Sequence, residues 1–434
     1  MMKDYYVSDT PEKAYLVGAS VRGERPLFGV EDSLKELALL ADTAGMDVIG
    51  QTTQTLKQIK PATFIGAGKV AEIKEELEAL EAEVVIFDDE LSPRHQRELE
   101  KRFGEKIKVL DRSALILDIF AQHASTREGA LQVELAQYEY RLPRLTRLWT
   151  HLARQAGGGG AGVGLRGPGE TQLEVDKREI GRKIAKLKPE LEQVRRHRSQ
   201  HRMQRARKGI PVVALVGYTN AGKSTLLNVL TDAHAYVADQ LFATLDPTTR
   251  RIELPSSRQV LMTDTVGFIQ KLPPTLIAAF RATLEEIAEA DVFLHVVDIS
   301  HPNVRQHIEA VDDTLAELDV PPIPRILVWN KTDLLNEKQM PPQIDLDKCY
   351  TDQVQVSSHK KLGIDALIGK IEDALTSQLR RAKLLLPYDK GDLVSFLFES
   401  ANVEQQEHTN EGVILTVHIP QYLYSRFKEY QMPG

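Results

Sequence analysis

A glycine-rich loop at residues 217–224 is the part of the sequence best suited to chemistry. Its letters G-Y-T-N-A-G-K-S fit the spacing G-x-x-x-x-G-K-S, between an apolar segment at 210–216 and a helical pattern at 225–230. In this setting the glycines allow a tight turn whose amides face phosphate oxygens, the lysine reaches the terminal phosphates, and the serine can bind Mg²⁺. The spacing therefore predicts that Lys223 and Ser224 bind a nucleoside triphosphate with Mg²⁺.

A second motif, D-T-V-G, begins at Asp264 after the apolar run 260–263. An acidic residue at the end of a strand suits a carboxylate held near Mg²⁺, and Gly267 can bring its amide to the γ-phosphate. We expect this segment to move after hydrolysis, because its contact with the γ-phosphate is then lost.

The base is predicted to be read by N-K-T-D at 330–333, which follows the apolar run 326–329. Guanine presents two adjacent N–H donors that Asp333 can accept, whereas adenine would leave that carboxylate unpaired. Asn330 is expected to tie the base loop to the phosphate loop, and the Lys331 stem to cover the base. The segment 354–359 fits the last base-contacting loop. These elements favour GTP over ATP.

A threonine between the first two motifs should complete the Mg²⁺ shell, and by spacing Thr244, Thr248 and Thr249 all qualify. The predicted nucleotide-binding residues are Gly217, Tyr218, Thr219, Asn220, Ala221, Gly222, Lys223, Ser224, Thr225, Phe242, Ala243, Thr244, Leu245, Asp246, Asp264, Thr265, Val266, Gly267, Asn330, Lys331, Thr332, Asp333, Ser357, Ser358 and His359.

Two apolar seams at 131–152 and 173–194 predict a pair of helices that form an antiparallel hairpin. Pro143 and Pro189 are expected to kink or break them. Between the seams lies a tip loop at 156–169, rich in glycine and longer than a helical hairpin needs. Arg154 and Arg166 are placed to meet phosphates of a partner there.

The formal net charge of -7 is unevenly distributed. Between residues 177 and 208 there are thirteen Lys/Arg and three Asp/Glu, a local net of +10, so the remainder sums to -17. A solvated helix face is the plainest interpretation, but the imbalance favours a nucleic-acid partner. The candidate RNA-binding residues of this basic stretch are Arg195, Arg196, Arg198 and Arg202.

The 434 residues predict about three domains. Apolar and charged fractions of 42% and 27% exclude collagen-like, wholly disordered and disulfide-framework proteins. With a single cysteine, no long apolar run and no secretory signal, we expect a cytoplasmic protein without a membrane span. We also expect a monomer.

The predicted fold class is α/β, with a P-loop GTPase domain at 209–380 and a small α+β domain at 381–434. Strands alternating with helices predict a small α/β domain at 1–125, and the hairpin and basic stretch occupy 126–208. In the C-terminal part, 391–399 and 412–420 are strand candidates. At the N-terminal side, Gly66–Lys69 and Asp88–Glu90 are best explained as helix starts, although an anion site and a metal site are the alternatives.

The motifs resemble those of the HflX family of GTPases. The resemblance rests on F-A-T-L-D-P-T at 242–248, D-T-V-G-F at 264–268 and G-P-G-E-T-Q-L-E at 167–174, and extends over roughly 14–420. It implies that Thr244 is the Mg²⁺-sensing threonine. It also implies a GTPase that binds the large ribosomal subunit and its rRNA, and splits or rescues stalled or idle ribosomes under stress. The N-terminal domain and the tip loop would approach the peptidyl-transferase centre.

One departure from common GTPases is Phe268, where many have a glutamine that orients the attacking water. Because a phenyl ring cannot hydrogen-bond water, intrinsic hydrolysis should be slow. The resemblance to the HflX family, which shares this feature, implies that the ribosome or another residue completes the site. No general base is assigned. The last base loop reads Ser-Ser-His rather than Ser-Ala-Lys, which leaves the contribution of His359 open. Two alternative functions are an ATP-dependent RNA-remodelling enzyme and an rRNA-binding module in which nucleotide is only a structural ligand.

Overall fold

The computed structural model describes residues 11–24, 26–145, 172–207, 210–231, 241–242, 244–245, 247–273, 290–317, 320, 323–335, 350–377, 379–420 and 427–432. By internal contacts the chain divides into two compact units. The first comprises Met1–Val194, Ala238–Asp246 and Ile269–Arg281. The second comprises Arg195–Val237, Pro247–Phe268 and Ala282–Gly434. Two segments that lie next to nucleotide motifs in sequence thus belong to the N-terminal unit.

A parallel sheet of four strands in the order β2-β1-β3-β4 forms the centre of the first unit. The strands are β1 (Glu12–Val21), β2 (Met46–Leu56), β3 (Val84–Phe87) and β4 (Lys108–Asp111). The connecting helices are α1 (Val30–Thr43), α2 (Ala67–Ala79) and α3 (Pro93–Phe103). β3 is buried along its whole length, as its continuous apolar sequence requires. This sheet and its connecting helices agree with the small α/β domain predicted from the sequence.

The two helix starts predicted in this unit are confirmed. The Ser92 hydroxyl accepts a hydrogen bond of 3.2 Å from the His95 amide and caps α3, whose first residue is a proline. The Gly66 amide donates to the Gln54 side chain at 2.8 Å directly before α2. Within the described residues no group of three or more His, Cys, Asp or Glu side chains could hold a metal ion.

The helical part of the first unit contains α4 (Arg112–His123), α5 (Arg127–Arg141) and the long α6 (Gln172–Arg207) as far as Val194. Leu135 of α5 packs with Leu187 and Leu191 of α6, so the two predicted seams do meet. Pro143 lies in a 3₁₀ turn directly after α5, where the helix ends. Pro189 lies inside α6 without breaking it. The tip loop falls outside the described residues.

The second unit contains a sheet of six strands in the order β10-β9-β8-β5-β7-β6, parallel except for the β6–β7 pair. The strands are β5 (Val212–Val216), β6 (Thr248–Glu253), β7 (Gln259–Asp264), β8 (Val292–Asp298), β9 (Arg325–Asn330) and β10 (Tyr350–Gln355). The described helices are α7 (Lys223–Leu230), α8 (Val304–Glu317) and α9 (Ile364–Ser377). Because parallel strands end at one edge, the loops after β5, β7 and β9 meet there.

An antiparallel sheet in the order β11-β13-β12 follows, with one helix packed on it. Its elements are β11 (Leu379–Leu386), α10 (Gly391–Ser400), β12 (Asn402–Thr409) and β13 (Gly412–Pro420). The strand predicted at 412–420 is confirmed, but the strand predicted at 391–399 is wrong, because this segment is α10. Its apolar residues Leu393, Val394, Phe396 and Leu397 recur at helical spacing and cover the sheet.

Candidate nucleotide-binding site

The phosphate loop connects β5 with α7, as its motif predicts. Gly217 and Gly222 have φ angles of +152° and +91°, which favour glycine. A Cβ atom on Gly217 would lie 2.2 Å from the Val296 carbonyl oxygen, and one on Gly222 would lie 2.3 Å from the Asn330 side-chain nitrogen. Neighbouring strands therefore approach the loop too closely for any other residue at these two positions.

Lys223 lies at the start of α7 and is 6% exposed. Its ammonium group donates hydrogen bonds to the carbonyl oxygens of Gly217 at 3.0 Å and Tyr218 at 2.9 Å, so it points into the loop. Burial lowers the pKa of Lys223 to about 8, and the Asp264 carboxylate opposes that shift. The positive end of α7 adds to the potential that attracts phosphate.

Ser224 and Asp264 converge on one point of the site. The Ser224 hydroxyl donates a 2.6 Å hydrogen bond to the carboxylate of Asp264, which is buried at the end of β7. The next residue, Thr265, donates its hydroxyl to the Leu215 carbonyl at 2.7 Å and fixes the start of the second motif against β5. A hydroxyl and a carboxylate are oxygen ligands of the kind that Mg²⁺ prefers, so this pair could hold the ion.

The second motif lies directly against the phosphate loop. The Thr219 amide donates to the Phe268 carbonyl at 2.7 Å, and the Phe268 amide donates to the Gly217 carbonyl at 3.1 Å. A Cβ atom on Gly267 would lie 2.8 Å from Thr219 Cγ2 and 3.0 Å from Lys223 Nζ, so only glycine fits there. Val266 is buried beside it, and the Phe268 side chain is 2% exposed. The backbone of the motif is therefore hydrogen-bonded directly to the loop.

Asn330 connects the base loop with the phosphate loop, as predicted. Its side-chain amide donates to the Ala221 carbonyl at 2.9 Å, and its side-chain oxygen accepts from the Ser358 amide at 3.1 Å and the Ser358 hydroxyl at 2.9 Å. Asn330 is only 1% exposed. The serine at 358, which replaces the commoner alanine, thus supplies one additional bond that orients Asn330.

The side chain predicted to read the base is oriented by the neighbouring loop. The Ser357 hydroxyl donates to the Asp333 carboxylate at 2.6 Å, and this bond lowers the pKa of Asp333. Thr332 donates its hydroxyl to the Val356 carbonyl at 3.0 Å, which joins the two loops a second time. Lys331 has a φ of +62° and its ammonium group lies 2.8 Å from the Asp298 carboxylate. An ionised carboxylate on a fixed loop can accept two adjacent N–H donors.

The predicted set also includes His359 in the last base loop and Thr225 at the start of α7. His359 is exposed, and Thr225 lies half-buried in the first turn of α7. Asn220 has a φ of +56°, a value that asparagine tolerates better than most residues.

The segment before β6 belongs to the first unit. Phe242 is 2% exposed, and its ring lies edge-on against Phe120 of α4 with a centroid separation of 4.6 Å. Thr244 is half-buried and Leu245 buried, while Ala243 and Asp246 fall outside the described residues.

Of the three threonines that spacing allowed, two are built into the sheet. Thr248 and Thr249 lie in β6, opposite Asp264 and Thr263 of β7. The hydroxyls of Thr249 and Thr263 are 3.0 Å apart and hydrogen-bonded. Thr244 precedes β6 and lies in none of the described strands.

A role for Lys271, which lies shortly after the second motif, was not predicted from the sequence. Lys271, in the part of the first unit that begins at Ile269, forms ion pairs of 2.5 Å with Asp88 and with Asp89. Asp88 follows β3, and its buried carboxylate also pairs with Arg112 at 2.7 Å. Burial alone would raise the pKa of Asp88, but Arg112 and Lys271 outweigh it and hold the pKa below its ordinary value. The only sequence signal was the acidic run after a buried strand.

The structure describes only some of the candidate RNA-binding arginines. Arg195, Arg196, Arg198 and Arg202 lie on the C-terminal part of α6, and Arg196 is exposed. The side chains of the other three, and the whole of Arg154 and Arg166, fall outside the described residues.

Four protein-family models match the chain. They describe a GTP-binding GTPase N-terminal region at residues 31–121, a GTP-binding GTPase middle region at 123–205, a 50S ribosome-binding GTPase at 212–331 and an HflX C-terminal domain at 347–422. The chain is 45% identical over 400 residues to the GTPase HflX of Caldanaerobacter subterraneus subsp. tengcongensis, and the match covers 92% of this chain and 90% of that one. The chain belongs to the HflX family of GTPases. The GTPase HflX of Escherichia coli is 43% identical, with 95% of this chain and 94% of its own covered.

Membership of the HflX family makes the chain a GTP-hydrolysing enzyme, which agrees with the pocket described above. Among solved structures, a GTP-binding protein from the archaeon Sulfolobus solfataricus in complex with GDP is 24% identical, with 84% of this chain and 99% of its own covered and a TM-score of 0.43. In the part of the chain that the structure describes, no helix has the length and apolar character needed to cross a bilayer.

Proposed function

We propose that this GTPase binds the large ribosomal subunit in its GTP state and splits or rescues stalled or idle ribosomes under stress. The observation that carries the proposal is the position of α6. This helix of 36 residues ends in the basic stretch at Arg207, five residues before β5 leads into the phosphate loop. The family model that matches 212–331 is described as a 50S ribosome-binding GTPase, which supports the same partner.

In this proposal the chain's own residues bind and orient the nucleotide. The amides of the phosphate loop and the Lys223 ammonium group hold the phosphates, and Asp333 accepts the two N–H donors of guanine. Asn330 keeps the two loops in register through its bonds to Ala221 and Ser358. The phosphates and the base are thereby held in one fixed geometry.

Ser224 and Asp264 are the residues of this pocket that would hold Mg²⁺, and the family resemblance implies the same role for Thr244. The 2.6 Å bond between the Ser224 hydroxyl and Asp264 brings two oxygen ligands together and fits this role. When bound, the ion neutralises charge on the phosphate oxygens. Thr244 and Gly267 would lose their γ-phosphate contacts after hydrolysis, and both segments would then relax. Release from the ribosome would follow from that relaxation.

Phe268 supports slow intrinsic hydrolysis. Its ring is buried and has no hydrogen-bonding group, so it cannot orient water. We infer that the ribosome stimulates turnover by stabilising a hydrolysis-competent arrangement of the second motif.

The direct test is sedimentation of the full chain with purified large subunits in the presence of GDP or a non-hydrolysable GTP analogue. We expect co-sedimentation with the analogue and much weaker binding with GDP. Negligible binding in both states would reject the proposal. Strong binding that is equal in both states would instead favour the module that uses nucleotide as a structural ligand.

A charge-matched pair of variants separates the basic stretch from general electrostatics. In the first, the four candidate RNA-binding arginines of the basic stretch, Arg195, Arg196, Arg198 and Arg202, become glutamine. In the control, four exposed basic residues elsewhere become glutamine, namely Arg250, Arg251, Lys383 and Lys390. We expect only the first to lose large-subunit binding in the analogue-bound state. Equal loss in both variants would show that net charge alone drives the association.

A further inference from the structure

One hydroxyl in the phosphate loop is buried without a partner. Thr219 is 7% exposed, and its hydroxyl oxygen has no hydrogen-bond partner among the described residues. Its backbone amide is used, because it donates to the Phe268 carbonyl at 2.7 Å. A buried hydroxyl normally finds a partner, so one that remains unpaired points to a ligand that supplies it.

The surroundings of Thr219 indicate which ligand that is. A Cβ atom on Gly267 would lie 2.8 Å from Thr219 Cγ2, 2.9 Å from Thr219 Cα and 3.0 Å from Lys223 Nζ. Thr219 therefore meets the two groups whose motifs bind the γ-phosphate, namely the Gly267 backbone and the Lys223 ammonium group. A γ-phosphate held by these two groups would lie beside the Thr219 side chain.

Four other hydroxyls in the loops of the pocket donate to protein acceptors. These bonds run from Ser224 to Asp264, Thr265 to Leu215, Thr332 to Val356 and Ser357 to Asp333. Phe268 occupies the position where many GTPases place a water-orienting glutamine. Among the described residues, Thr219 has the only buried hydroxyl oxygen without a hydrogen-bond partner.

We propose that the Thr219 hydroxyl donates a hydrogen bond to a γ-phosphoryl oxygen and accepts one from the attacking water. The water oxygen bonds to the γ-phosphorus, the bond to the β–γ bridging oxygen breaks, and its electron pair stays on GDP. The water proton ends on the inorganic phosphate, so Thr219 gains and loses none. The inference rests on GTP hydrolysis and is independent of ribosome binding.

The test compares Thr219→Val, which keeps the shape and removes the hydroxyl, with Thr219→Ser, which keeps the hydroxyl. Single-turnover GTP hydrolysis by the full chain without ribosomes gives the rate, and titration with a fluorescent GDP analogue gives the affinity. We expect Thr219→Val to hydrolyse GTP about 10- to 100-fold more slowly. This loss equals or is smaller than the typical effect of removing one hydrogen-bond donor to the transition state. Its GDP affinity should stay within about threefold, and Thr219→Ser should retain most of the rate.

A control variant, Thr231→Val, removes a hydroxyl at the end of α7 that donates to the Leu227 carbonyl at 2.8 Å, and should hydrolyse at the unaltered rate. Thr219→Val that keeps the full rate would overturn the proposal. Equal slowing in Thr219→Ser and Thr219→Val would also overturn it, because the methyl packing on Gly267 would then be the cause. If Thr219→Val fails to bind GDP, Thr219→Ala is measured in its place with the same expected loss and the same grounds for rejection.

Discussion

Replacement of Asn330 by alanine should weaken the binding of GTP and GDP to a similar extent. Asn330 makes three hydrogen bonds, of 2.9 Å to Ala221 and of 3.1 and 2.9 Å to the amide and hydroxyl of Ser358. At about 1 kcal/mol net for each bond, their loss amounts to about 3 kcal/mol. That free energy corresponds to roughly a 100-fold rise in Kd, provided that both loops must be aligned in the complex. Equilibrium titration with a fluorescent guanine nucleotide measures it.

Ser358→Ala is the matched control, because it removes only the 2.9 Å hydroxyl bond and leaves the amide of residue 358 bonded to Asn330. We expect a loss of about 1 kcal/mol, or roughly fivefold in Kd. An Asn330→Ala protein that binds both nucleotides within about threefold of the parent affinity would refute the reasoning. Equal losses in the two variants would refute it as well, since the bond to the phosphate loop would then contribute nothing.

Three further outcomes are expected. Asp333→Asn should weaken GTP and improve xanthosine triphosphate, whose 2-carbonyl accepts from the new amide; competition binding that retains the guanine preference would contradict the assigned role. Asp88→Asn should lower the free energy of unfolding near neutral pH by about 3 kcal/mol or more, because Arg112 loses a buried partner. Since the pKa of Asp88 lies below the ordinary value of an aspartate, that contribution is fully present above the ordinary pKa and disappears as the pH falls through the folded-state pKa, which denaturant titrations at neutral and acidic pH would show. Replacing Arg195, Arg196, Arg198 and Arg202 with glutamine should make the plot of log binding constant against log salt concentration less steep for RNA binding, by up to roughly 0.9 for each phosphate contact that is lost. An unchanged slope would show that these arginines face solvent.

The phosphate and base loops could be predicted because their geometry is encoded within a few residues. The two glycines with positive φ and the helix start follow from the eight positions 217–224, and the strand follows from the apolar run directly before them. Even the contact of Asn330 with Ala221, which are 109 residues apart, follows from what the two motifs must do together. Because both motifs bind the same nucleotide, the sequence indicates that they lie close together in the fold.

Contacts without a shared ligand could not be predicted in this way. Lys271 and Asp88 are 183 residues apart, and no motif connects them. The packing of Phe242 on Phe120 is equally invisible, because an aromatic residue in a polar segment has many possible partners. The segment 391–399 was misassigned because a short apolar run fits a buried strand and a one-sided helix equally well until its packing surface is known.

GTP turnover by the full chain with and without purified large ribosomal subunits measures whether the ribosome activates the site. We expect slow turnover alone, because Phe268 cannot orient water, and stimulation of at least roughly tenfold by the subunits. A turnover rate that is the same at every concentration of large subunits would contradict the proposed coupling between GTP hydrolysis and the ribosome.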